Sequence, residues 1–368
     1  MSNTISVNRL QEMLENSEPL TVVDIRPEDE RSEWYIPGSL HVDIYEKLQQ
    51  GQVGALQELS LPGNRPIVTV CGAGKTSLQA ADYLHKMGHE AYSLEGGMKA
   101  WSFAWNTAEL PLPDCDTEVV QVRRTGKGCL SYIVANNGRA AVIDPSLPPE
   151  VYLKLAEARG WTIDAVLDTH VHADHLSRGR ALAAMSDAGL YLPEQDRVSF
   201  EFNPLRHGDS LALGGLSLEV YHTPGHTPES MSYLLDEKAI FTGDTLFLTS
   251  VGRPDLGATP EIAQKKAHML HRSVQKLISL DSSIYVLPGH VEQPVPFNGQ
   301  PIFASIGTVR EQTNLLDLPE REFVERITAH IPEAPLNHQT IVKLNEAGNT
   351  DMKDLTELEA GANRCAAT

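Results

Sequence analysis

The chain has 368 residues and a formal net charge of −19, and 41% of its residues are hydrophobic. This length allows two or three domains with substantial cores. The acidic balance argues against a nucleic-acid partner or an anionic membrane surface, because both call for clustered Lys and Arg. No apolar run is long enough to span a bilayer, and the first five residues lack the basic and apolar regions of a signal peptide. We therefore expect a cytoplasmic globular protein.

The first hundred residues alternate apolar runs with helical patterns. Apolar residues fall at helical spacing over 7–14, and a second helix is predicted to start in the loop 71–77. The predicted strands are 20–24, 67–70 and 92–94. Strands that alternate with helices indicate a small parallel α/β domain, which we place at 1–106.

A stretch rich in proline and acidic residues, 107–117, separates this domain from the next and is predicted to be a linker. Two runs of strands with helices outside them follow, which is typical of an αβ/βα sandwich, here predicted over 118–300. The predicted strands are 119–122, 131–134, 140–144, 164–167, 210–213, 217–222, 231–235, 239–242 and 284–287, and the predicted helices are 149–158, 176–185 and 259–280. The remainder, 301–368, is predicted to be a helical extension (302–315, 321–329 and 339–345) whose polar tail frays.

The turn after the predicted strand 164–167 carries an unusual density of ligand-type side chains. Its histidines and one of its carboxylates are His170, His172, Asp174 and His175. Neutral imidazoles and ionised carboxylates are the ligands of divalent transition metals, and a loop between a strand and a helix can aim them. A histidine-rich surface turn would crowd several titrating groups together without purpose. The sequence therefore predicts a metal site here.

Three further ligand-type residues each follow an apolar, strand-like run and stand beside Gly or Pro: His226, Asp244 and His290. Such turns let the backbone bring a side chain close to a common centre. Taken singly, either histidine could cap a turn and Asp244 could form an Asx turn. Their recurrence in one chain favours a single metal centre built with the histidine-rich turn.

These seven residues resemble the metal site of the metallo-β-lactamase superfamily, across roughly residues 118–293. Because all seven metal positions of that superfamily are filled, the inventory alone permits a two-metal hydrolase. The run Val-Gly-Arg-Pro-Asp-Leu at 251–256 more narrowly resembles the persulfide dioxygenases, the sulfur dioxygenases of the ETHE1-like type. That resemblance implies one Fe(II) per chain, held by His170, His226 and Asp244. The residues then implied to orient these ligands and shape the pocket are His172, Asp174, His175 and His290.

The implied ligand set suits oxygen chemistry. Three protein ligands on one face leave neighbouring positions open, so Fe(II) can hold both O₂ and a sulfur donor. Zinc has no redox states and would serve a hydrolase instead. Arg253 is a candidate for binding a substrate carboxylate, since its guanidinium matches that geometry; a structural ion pair with Asp255 is the alternative.

Cys71 stands between a predicted strand and a predicted helix, in a loop with two glycines. Backbone N–H groups and the positive end of the helix dipole would favour its thiolate there. The other cysteines, Cys115, Cys129 and Cys365, are expected to be small buried residues. The four show no close pairing and no zinc-knuckle spacing, which fits a reducing compartment.

Residues 5–105 resemble a rhodanese domain. The resemblance rests on Val-Asp-Ile-Arg at 23–26, Ile-Pro-Gly at 36–38, the Cys71 loop and Leu-Glu-Gly-Gly-Met-Lys-Ala-Trp at 94–101. It implies that Cys71 accepts a sulfane sulfur as a persulfide and passes it to a nucleophile. Lys75 is the cation of this loop and is expected to contact an anionic substrate.

The two resemblances together imply a fused sulfurtransferase–persulfide dioxygenase of sulfide detoxification. It would oxidise a low-molecular-weight persulfide, such as glutathione persulfide, with O₂ to sulfite. The Cys71 domain could either generate persulfide for the iron or consume the sulfite by making thiosulfate. Two alternatives stay open: a two-zinc hydrolase of glyoxalase II or thioesterase type, and an N-terminal domain that only carries persulfide or docks a partner. Small molecules are the expected partners, and the sequence leaves homo-oligomer formation open.

Overall fold

The computed structural model describes residues 3–57, 59–113, 116–329, 333–335, 337–349, 355–361 and 363–367. Cys115 of the predicted linker lies outside these ranges. Within them, no helix has the length and apolar character that a membrane crossing requires. The described chain forms an N-terminal domain with a parallel sheet, followed by two larger sheets that pack face to face.

The N-terminal domain is a five-stranded, fully parallel sheet with the order β1-β5-β4-β2-β3. Its strands are β1 (Thr4–Ile5), β2 (Thr21–Asp24), β3 (Leu40–His41), β4 (Ile67–Val70) and β5 (Ala91–Leu94). Its helices are α1 (Val7–Glu15), α2 (Glu28–Glu33), α3 (Tyr45–Gln49), α4 (Gly54–Gln57), α5 (Lys75–Lys86) and α6 (Gly97–Trp101). All four residues of β4 are buried, as expected for a central parallel strand covered on both faces. The predicted parallel α/β domain is confirmed.

The second part of the chain contains two large sheets. The first has the order β12-β11-β10-β9-β8-β7-β6 and the second the order β13-β14-β15-β16-β18-β19. The first sheet consists of β6 (Asn106–Leu110), β7 (Glu118–Arg124), β8 (Cys129–Asn136), β9 (Arg139–Ile143), β10 (Thr162–Leu167), β11 (Gly189–Pro193) and β12 (Asn203–Leu205). The second consists of β13 (Ser210–Leu213), β14 (Leu216–His222), β15 (Met231–Leu235), β16 (Ala239–Gly243), β18 (Tyr285–Pro288) and β19 (Ala304–Ser305). A short separate pair joins β17 (Val251–Gly252) to β20 (Ala366–Ala367).

Helices cover the outer faces of both sheets: α7 (Pro149–Glu157) and α8 (Gly179–Ser186) on the first, and α9 (Pro260–Ile278), α10 (Ile306–Gln312) and α11 (Glu320–Ala329), with a 3₁₀ helix at Asn314–Asp317, on the second. The last two helices, α12 (His338–Ala347) and α13 (Leu355–Glu359), pack on Leu176 after the histidine-rich turn. One hydrophobic core lies between the sheets, a second joins the first sheet to α7 and α8, and a third joins the second sheet to α9, α10 and α11. This is the predicted αβ/βα sandwich, which is confirmed.

The longest helix, α9, shows why the sequence folds this way locally. Thr259 caps its start by accepting the N–H of Ile262, and Pro260 occupies the first turn, where no N–H donor is needed. Residues at spacings of three and four, among them Ala267, Leu270 and Val274, are fully buried against the second sheet. Each large side chain buried in this way contributes about 1.5–3 kcal/mol.

The predicted linker, 107–117, needs correction at its start. Asn106–Leu110 is an edge strand, and it pairs antiparallel with β7 over its whole length. Its alternate residues Asn106, Ala108 and Leu110 are buried, whereas its outward residues contact solvent to varying degrees. Five residues with alternating burial make a short edge strand. Because prolines follow it directly, the alternating pattern is too short for a strand to be predicted from sequence.

The C-terminal extension also differs from its prediction. Ala304–Ser305 is a strand on β18, so the predicted helix 302–315 begins only at Ile306. The tail was predicted to fray, but its described residues 355–361 and 363–367 contact the rest of the protein. Glu359 of α13 is fully buried, and β20 near the chain end pairs with β17. The polar composition of the tail was misleading because Glu359 forms buried ion pairs with Arg124 and Arg178.

Candidate metal centre

The ligand-type residues predicted from sequence meet at one edge of the sandwich. The histidine-rich turn follows β10, His226 follows β14, Asp244 follows β16 and His290 follows β18. Two glycines allow these turns to approach closely. A Cβ on Gly289 would lie 2.8 Å from Asp244 Oδ1, and one on Gly243, whose φ is +49°, would lie 2.4 Å from Thr169 Oγ1.

His170, His226 and Asp244 form a first donor group. One ligand atom from each lies within 4.8 Å of the others, and all three residues are buried. Asp244 Oδ2 is 3.8 Å from His170 Nε2 and 3.7 Å from His226 Nε2. His170 Nε2 and Asp244 Oδ2 have no hydrogen-bond partner among the described residues. Buried polar atoms are normally satisfied, so unpartnered donors that converge on one point fit a metal ion.

The other nitrogen of each of these two imidazoles is held by the protein. His226 Nδ1 is 2.8 Å from the backbone carbonyl oxygen of Arg253, to which it donates. His170 Nδ1 is 2.9 Å from Thr169 Oγ1, whose hydroxyl donates to Asp144. Both contacts fix the tautomer that leaves Nε2 with a free lone pair. Burial lowers the pKa of His226 and, together with His172, holds the pKa of His170 well below its usual value. Both rings are therefore neutral and able to bind a metal.

A second donor group lies beside the first and consists of Cys129, Asp174, His175 and His290. His290 bridges two carboxylates, with Nδ1 2.5 Å from Asp244 Oδ1 and Nε2 2.9 Å from Asp174 Oδ2. Burial opposes a charged ring, but these carboxylates outweigh it and hold the pKa of His290 well above its usual value. Asp174 in the same way raises the pKa of His175 to about 10. In this group both ring nitrogens of His290 are hydrogen-bonded, whereas His175 Nε2 has no hydrogen-bond partner among the described residues.

His172 lies between His170 and His175, with ring centroids 4.3 and 4.2 Å away, but its Nε2 lies near a different pair of carboxylates. Its Nε2 is 3.3 Å from Asp144 Oδ1 and 3.8 Å from Asp168 Oδ1, which makes a third buried group. The backbone around it is fixed from the C-terminal extension, because the Asn345 amide donates to the carbonyl oxygens of His172 and His175. His172 is thus placed to support the turn that carries His170.

Two cysteines for which no function was predicted lie at the centre. Cys129 Sγ is 3.4 Å from Asp174 Oδ2, and although burial and Asp174 oppose the thiolate, His290 and His175 lower the pKa of Cys129 to about 7. Cys365 belongs to the tail, and its sulfur lies within 4.8 Å of ligand atoms of Asp244 and His290. Both were expected to be small buried residues; they are buried, but among charged groups. A single cysteine without ligand spacing offers no signal that would have revealed this.

Arg253 is not available to a substrate in this structure, so the first of its two predicted roles is corrected. The side chain is 1% exposed, and its guanidinium makes two contacts to Asp255, at 2.8 and 2.7 Å. The remaining Nη1 donates to the carbonyl oxygens of Glu333 and Arg364, both at 3.0 Å. Arg253 therefore holds the tail in place, and its own carbonyl orients His226.

The Cys71 loop follows β4 and leads into α5, as predicted. Cys71 is buried, and its sulfur accepts hydrogen bonds from the Ser77 backbone N–H at 3.4 Å and the Ser77 hydroxyl at 3.2 Å. Gly74, with φ +78°, turns the chain into the helix. Lys75 is exposed at the first position of α5, beside the loop. The arrangement supplies two hydrogen-bond donors, both from Ser77, to the sulfur.

Comparison with protein families matches both parts of the chain. Residues 6–104 match the rhodanese-like domain family, and residues 124–290 match the metallo-beta-lactamase superfamily. Among curated proteins, a hydroxyacylglutathione hydrolase from Xanthomonas campestris pv. campestris (strain B100) is 35% identical over 159 residues, 43% of this chain and 58% of its own length. One from Anaeromyxobacter dehalogenans (strain 2CP-C) is 36% identical over 178 residues, 46% of this chain and 63% of its own. The chain thus spans about 60% of the length of these relatives.

Two solved structures share the sandwich. A metallo-beta-lactamase from Staphylococcus aureus subsp. aureus COL has a TM-score of 0.58 and 27% identity, covering 64% of this chain and 73% of its own. ETHE1 from Myxococcus xanthus has a TM-score of 0.54 and 26% identity, covering 62% of this chain and 98% of its own. The fold is therefore that of the metallo-β-lactamase superfamily, and it carries donor groups that could hold a metal ion. More narrowly, the chain joins an N-terminal rhodanese-like domain to a metallo-β-lactamase domain.

Proposed function

We propose that the protein oxidises the outer sulfur of a low-molecular-weight persulfide, such as glutathione persulfide, with O₂. The persulfide R–S–S–H, O₂ and water give the thiol R–S–H and sulfite with two protons. One Fe(II) per chain, held by His170, His226 and Asp244, would supply the redox chemistry, since it can bind O₂ and a sulfur donor together. In the same protein, Cys71 would transfer sulfane sulfur.

The contrast between the two donor groups supports one redox metal over a metal pair. In the first group, the Nε2 atoms of His170 and His226 and Oδ2 of Asp244 converge, and the protein fixes both imidazole tautomers for binding. In the second group, His290 uses both ring nitrogens on carboxylates. A facial set of two imidazoles and one carboxylate is the ligand pattern of non-haem Fe(II) oxygenases. This contrast is the observation that carries the proposal.

The ETHE1 neighbour adds support, because the sequence run 251–256 independently resembles persulfide dioxygenases of the ETHE1-like type. The alignment takes in 98% of that protein, so the resemblance extends beyond the metal ligands. The rhodanese-like domain also fits, since a domain that handles sulfane sulfur can supply the persulfide. In a reducing cytoplasm the three described cysteines, which are free, would stay reduced.

A hydrolase is the second candidate, and two observations favour it. The curated relatives named hydroxyacylglutathione hydrolase are 35–36% identical to the sandwich region. The second donor group also holds a thiol, a carboxylate and two imidazoles within 4.8 Å, so it could take a second ion once its histidines lose their protons. Such a pair of zinc ions would activate water for attack on a hydroxyacylglutathione thioester.

For the rhodanese-like domain, the contacts of Cys71 favour chemistry over a pure carrier or docking role. Two donors from Ser77 converge on the Cys71 sulfur, which would stabilise negative charge on it during transfer. The thiol could take sulfur from a donor and hand it to a low-molecular-weight thiol. It could equally pass sulfur to the sulfite product, which gives thiosulfate.

Metal content and two activity assays test the proposal. The full-length protein is purified anaerobically, its iron and zinc are counted, and it is offered glutathione persulfide with O₂ or a hydroxyacylglutathione thioester. We expect one iron per chain and persulfide-dependent O₂ uptake, with little thioester hydrolysis. Two zinc ions per chain with thioester turnover, and no O₂ uptake even after ferrous reconstitution, would establish the hydrolase instead.

A further inference from the structure

The C-terminal tail is anchored between the two domains. Glu359 at the end of α13 is fully buried and forms ion pairs with Arg124 and Arg178, each at 2.7 Å. Further along, Arg364 contacts Glu33 on α2 of the rhodanese-like domain. The tail therefore starts from a fixed point and runs across the junction of the domains.

The tip of this tail reaches the metal centre. The Arg253 N–H donates to the Cys365 carbonyl oxygen at 2.8 Å, and the next two residues form β20 on β17. Cys365 is 2% exposed, and its sulfur lies within 4.8 Å of ligand atoms of Asp244 and His290. Asp244 Oδ2 is also one of the buried atoms without a hydrogen-bond partner. The tail thus places a thiol beside the carboxylate assigned to the iron.

The donors are closed off from solvent. His170, His226, Asp244 and His290 are each at most 3% exposed. A cavity beside His170 and His172 measures about 20 Å³, which is room for about one water molecule. Glutathione persulfide is much larger than this cavity. A single sulfur atom already attached to Cys365 would need no such room.

A larger cavity lies at the base of the tail. It measures about 430 Å³ and is lined by Gly72 and Ala73, which directly follow Cys71, and by Ala360 and Gly361, which directly follow Glu359. Cys365 is six residues beyond Glu359 along the chain. Six extended residues span about 20 Å, so the tail beyond Glu359 is long enough to reach this cavity once its contacts with Arg253 and β17 are released. Gly361, with φ +104°, adopts a backbone conformation that other residues rarely take.

We propose that Cys365 is a covalent sulfur carrier that presents a protein-bound persulfide to the metal centre; this rests on the proposed function. The Cys365 sulfur attacks the outer sulfur of a persulfide R–S–S–H, supplied by Cys71 or by a small molecule. The S–S bond to R breaks, the new S–S bond forms on Cys365, and the thiol proton ends on the departing R–S⁻. No oxidant is consumed in this step. The added sulfur extends the side chain by about 2 Å beyond Sγ.

The test locates the sulfur before any oxidation occurs. Iron-loaded protein with Cys71→Ser, so that Cys71 cannot hold sulfur, is treated anaerobically with glutathione persulfide and freed of small molecules. Mass spectrometry of the alkylated C-terminal peptide should show one extra sulfur atom on Cys365. When O₂ is admitted, that sulfur should disappear and an equal amount of sulfite should form. The matched protein with both Cys71→Ser and Cys365→Ser should release no sulfite.

The outcomes separate this inference from the proposed function. If Cys365 gains no sulfur, or keeps it after O₂ is admitted, while the protein oxidises free glutathione persulfide, the carrier role is overturned and the dioxygenase stands. The carrier role is also overturned if the double variant releases as much sulfite as the Cys71→Ser protein. If iron-loaded protein makes no sulfite from free persulfide either, the proposed function fails, and the carrier role fails with it.

Discussion

At the metal centre, the role of each histidine depends on the hydrogen-bond partner of its second ring nitrogen. His226 donates to a backbone carbonyl oxygen and His170 to a threonine hydroxyl, so both keep a free lone pair. His290 lies between two carboxylates, which makes it a charged donor instead. Chemically identical side chains therefore differ in role: His170 and His226 each keep a nitrogen that could bind a metal ion, whereas His290 bridges Asp244 and Asp174.

Removing a ligand of the first group should remove the metal. We expect His226→Ala to lose nearly all bound iron and all persulfide-dependent O₂ uptake, since two remaining ligands cannot hold the ion. Metal analysis after gel filtration measures this. The control is His268→Ala on the exposed face of α9, where the ring pairs with Glu320 and its loss should leave iron content unchanged. Full iron retention by His226→Ala would remove His226 from the ligand set.

We expect sulfur transfer by Cys71 and O₂ uptake at the iron to be independent activities. Cys71→Ser should abolish sulfur transfer to a thiol or to sulfite, because the hydroxyl is a far weaker nucleophile than the thiolate. O₂ uptake with supplied persulfide should remain, because that reaction takes place at the other centre. The two rates are measured on the same protein preparation, so folding is controlled internally. Surviving sulfur transfer would show that another group carries it.

At the scale of elements, the C-terminal extension holds the metal-binding turn. Asn345 of α12 donates to two carbonyl oxygens of the turn, and Glu359 of α13 accepts the N–H of Leu176 while pairing with Arg124 and Arg178. Leu358 and Ile341 pack on Leu176. The extension therefore fixes the backbone from which His170 and His172 project.

This predicts a large stability cost at Glu359. Glu359→Gln keeps the shape but removes the charge that compensates two buried guanidinium groups, and breaking such a buried network costs about 3–5 kcal/mol. Urea unfolding gives the free energy of unfolding directly. Glu357→Gln is the matched control, since its ion pair with Lys99 is exposed and worth at most about 1 kcal/mol. Equal effects of the two substitutions would contradict the structural role of Glu359.

The same ion pairs make stability depend on acid. Arg124 and Arg178 outweigh burial and lower the pKa of Glu359 below its usual value of 4.5 in the folded protein. A carboxyl with a depressed pKa stabilises the fold above the unfolded pKa, and this contribution is lost as pH falls through the folded pKa. Unfolding free energies measured from pH 7 downward should therefore fall more steeply below about pH 4.5 for the native chain than for Glu359→Gln.

Whether a helix or strand could be predicted from sequence depends on the length of its hydrophobic pattern. Long or strongly apolar elements, such as α9 and β4, carry enough periodicity to be placed within one or two residues. Short pieces such as β6 and β20 depend on partner strands far away in sequence, which no local pattern records. The tail is the clearest case, because Glu359 and Arg364 look like solvated charges until their partners in both domains are known.

The ligand-type residues of the centre could be predicted from sequence, but the way they divide into separate groups could not. The resemblance to persulfide dioxygenases implied His170, His226 and Asp244 as one ligand set, and the structure brings these three residues together. The separation of His172 into a group with Asp144 depends on side-chain direction, which the motif does not encode. Cys129 and Cys365 come from places that only the tertiary structure connects to the centre.

At the scale of the whole molecule, the two domains share their cores. Trp34 of the rhodanese-like domain is 4% exposed and packs in the core between the two large sheets. In return, Phe297 packs against Trp101 of the rhodanese-like domain, with ring centroids 5.2 Å apart. Aromatic side chains exchanged in this way couple the stabilities of the two domains.

We therefore expect Trp34 to stabilise the metallo-β-lactamase domain as well as the rhodanese-like domain. Trp34→Ala should cost about 3–5 kcal/mol and should lower the stability of the metallo-β-lactamase domain as well, because it leaves a cavity in that core. Hydrogen exchange of the buried strands in each domain measures the effect separately. Leu40→Ala serves as control, since Leu40 is 45% exposed. Unchanged protection in the sandwich would mean that the domains are energetically independent.

The central claim is that the protein oxidises a persulfide with O₂ at an iron site, and the most direct test measures the O₂ consumed and the sulfite formed. Full-length protein is stripped of metal, reconstituted with either ferrous iron or zinc, and given glutathione persulfide in a closed cell with a known amount of O₂. The ferrous protein should consume one O₂ for each sulfite formed, and the zinc protein should consume none. Absence of O₂ consumption by the ferrous protein, or equal sulfite from the zinc protein, would contradict persulfide oxidation at the His170, His226 and Asp244 site.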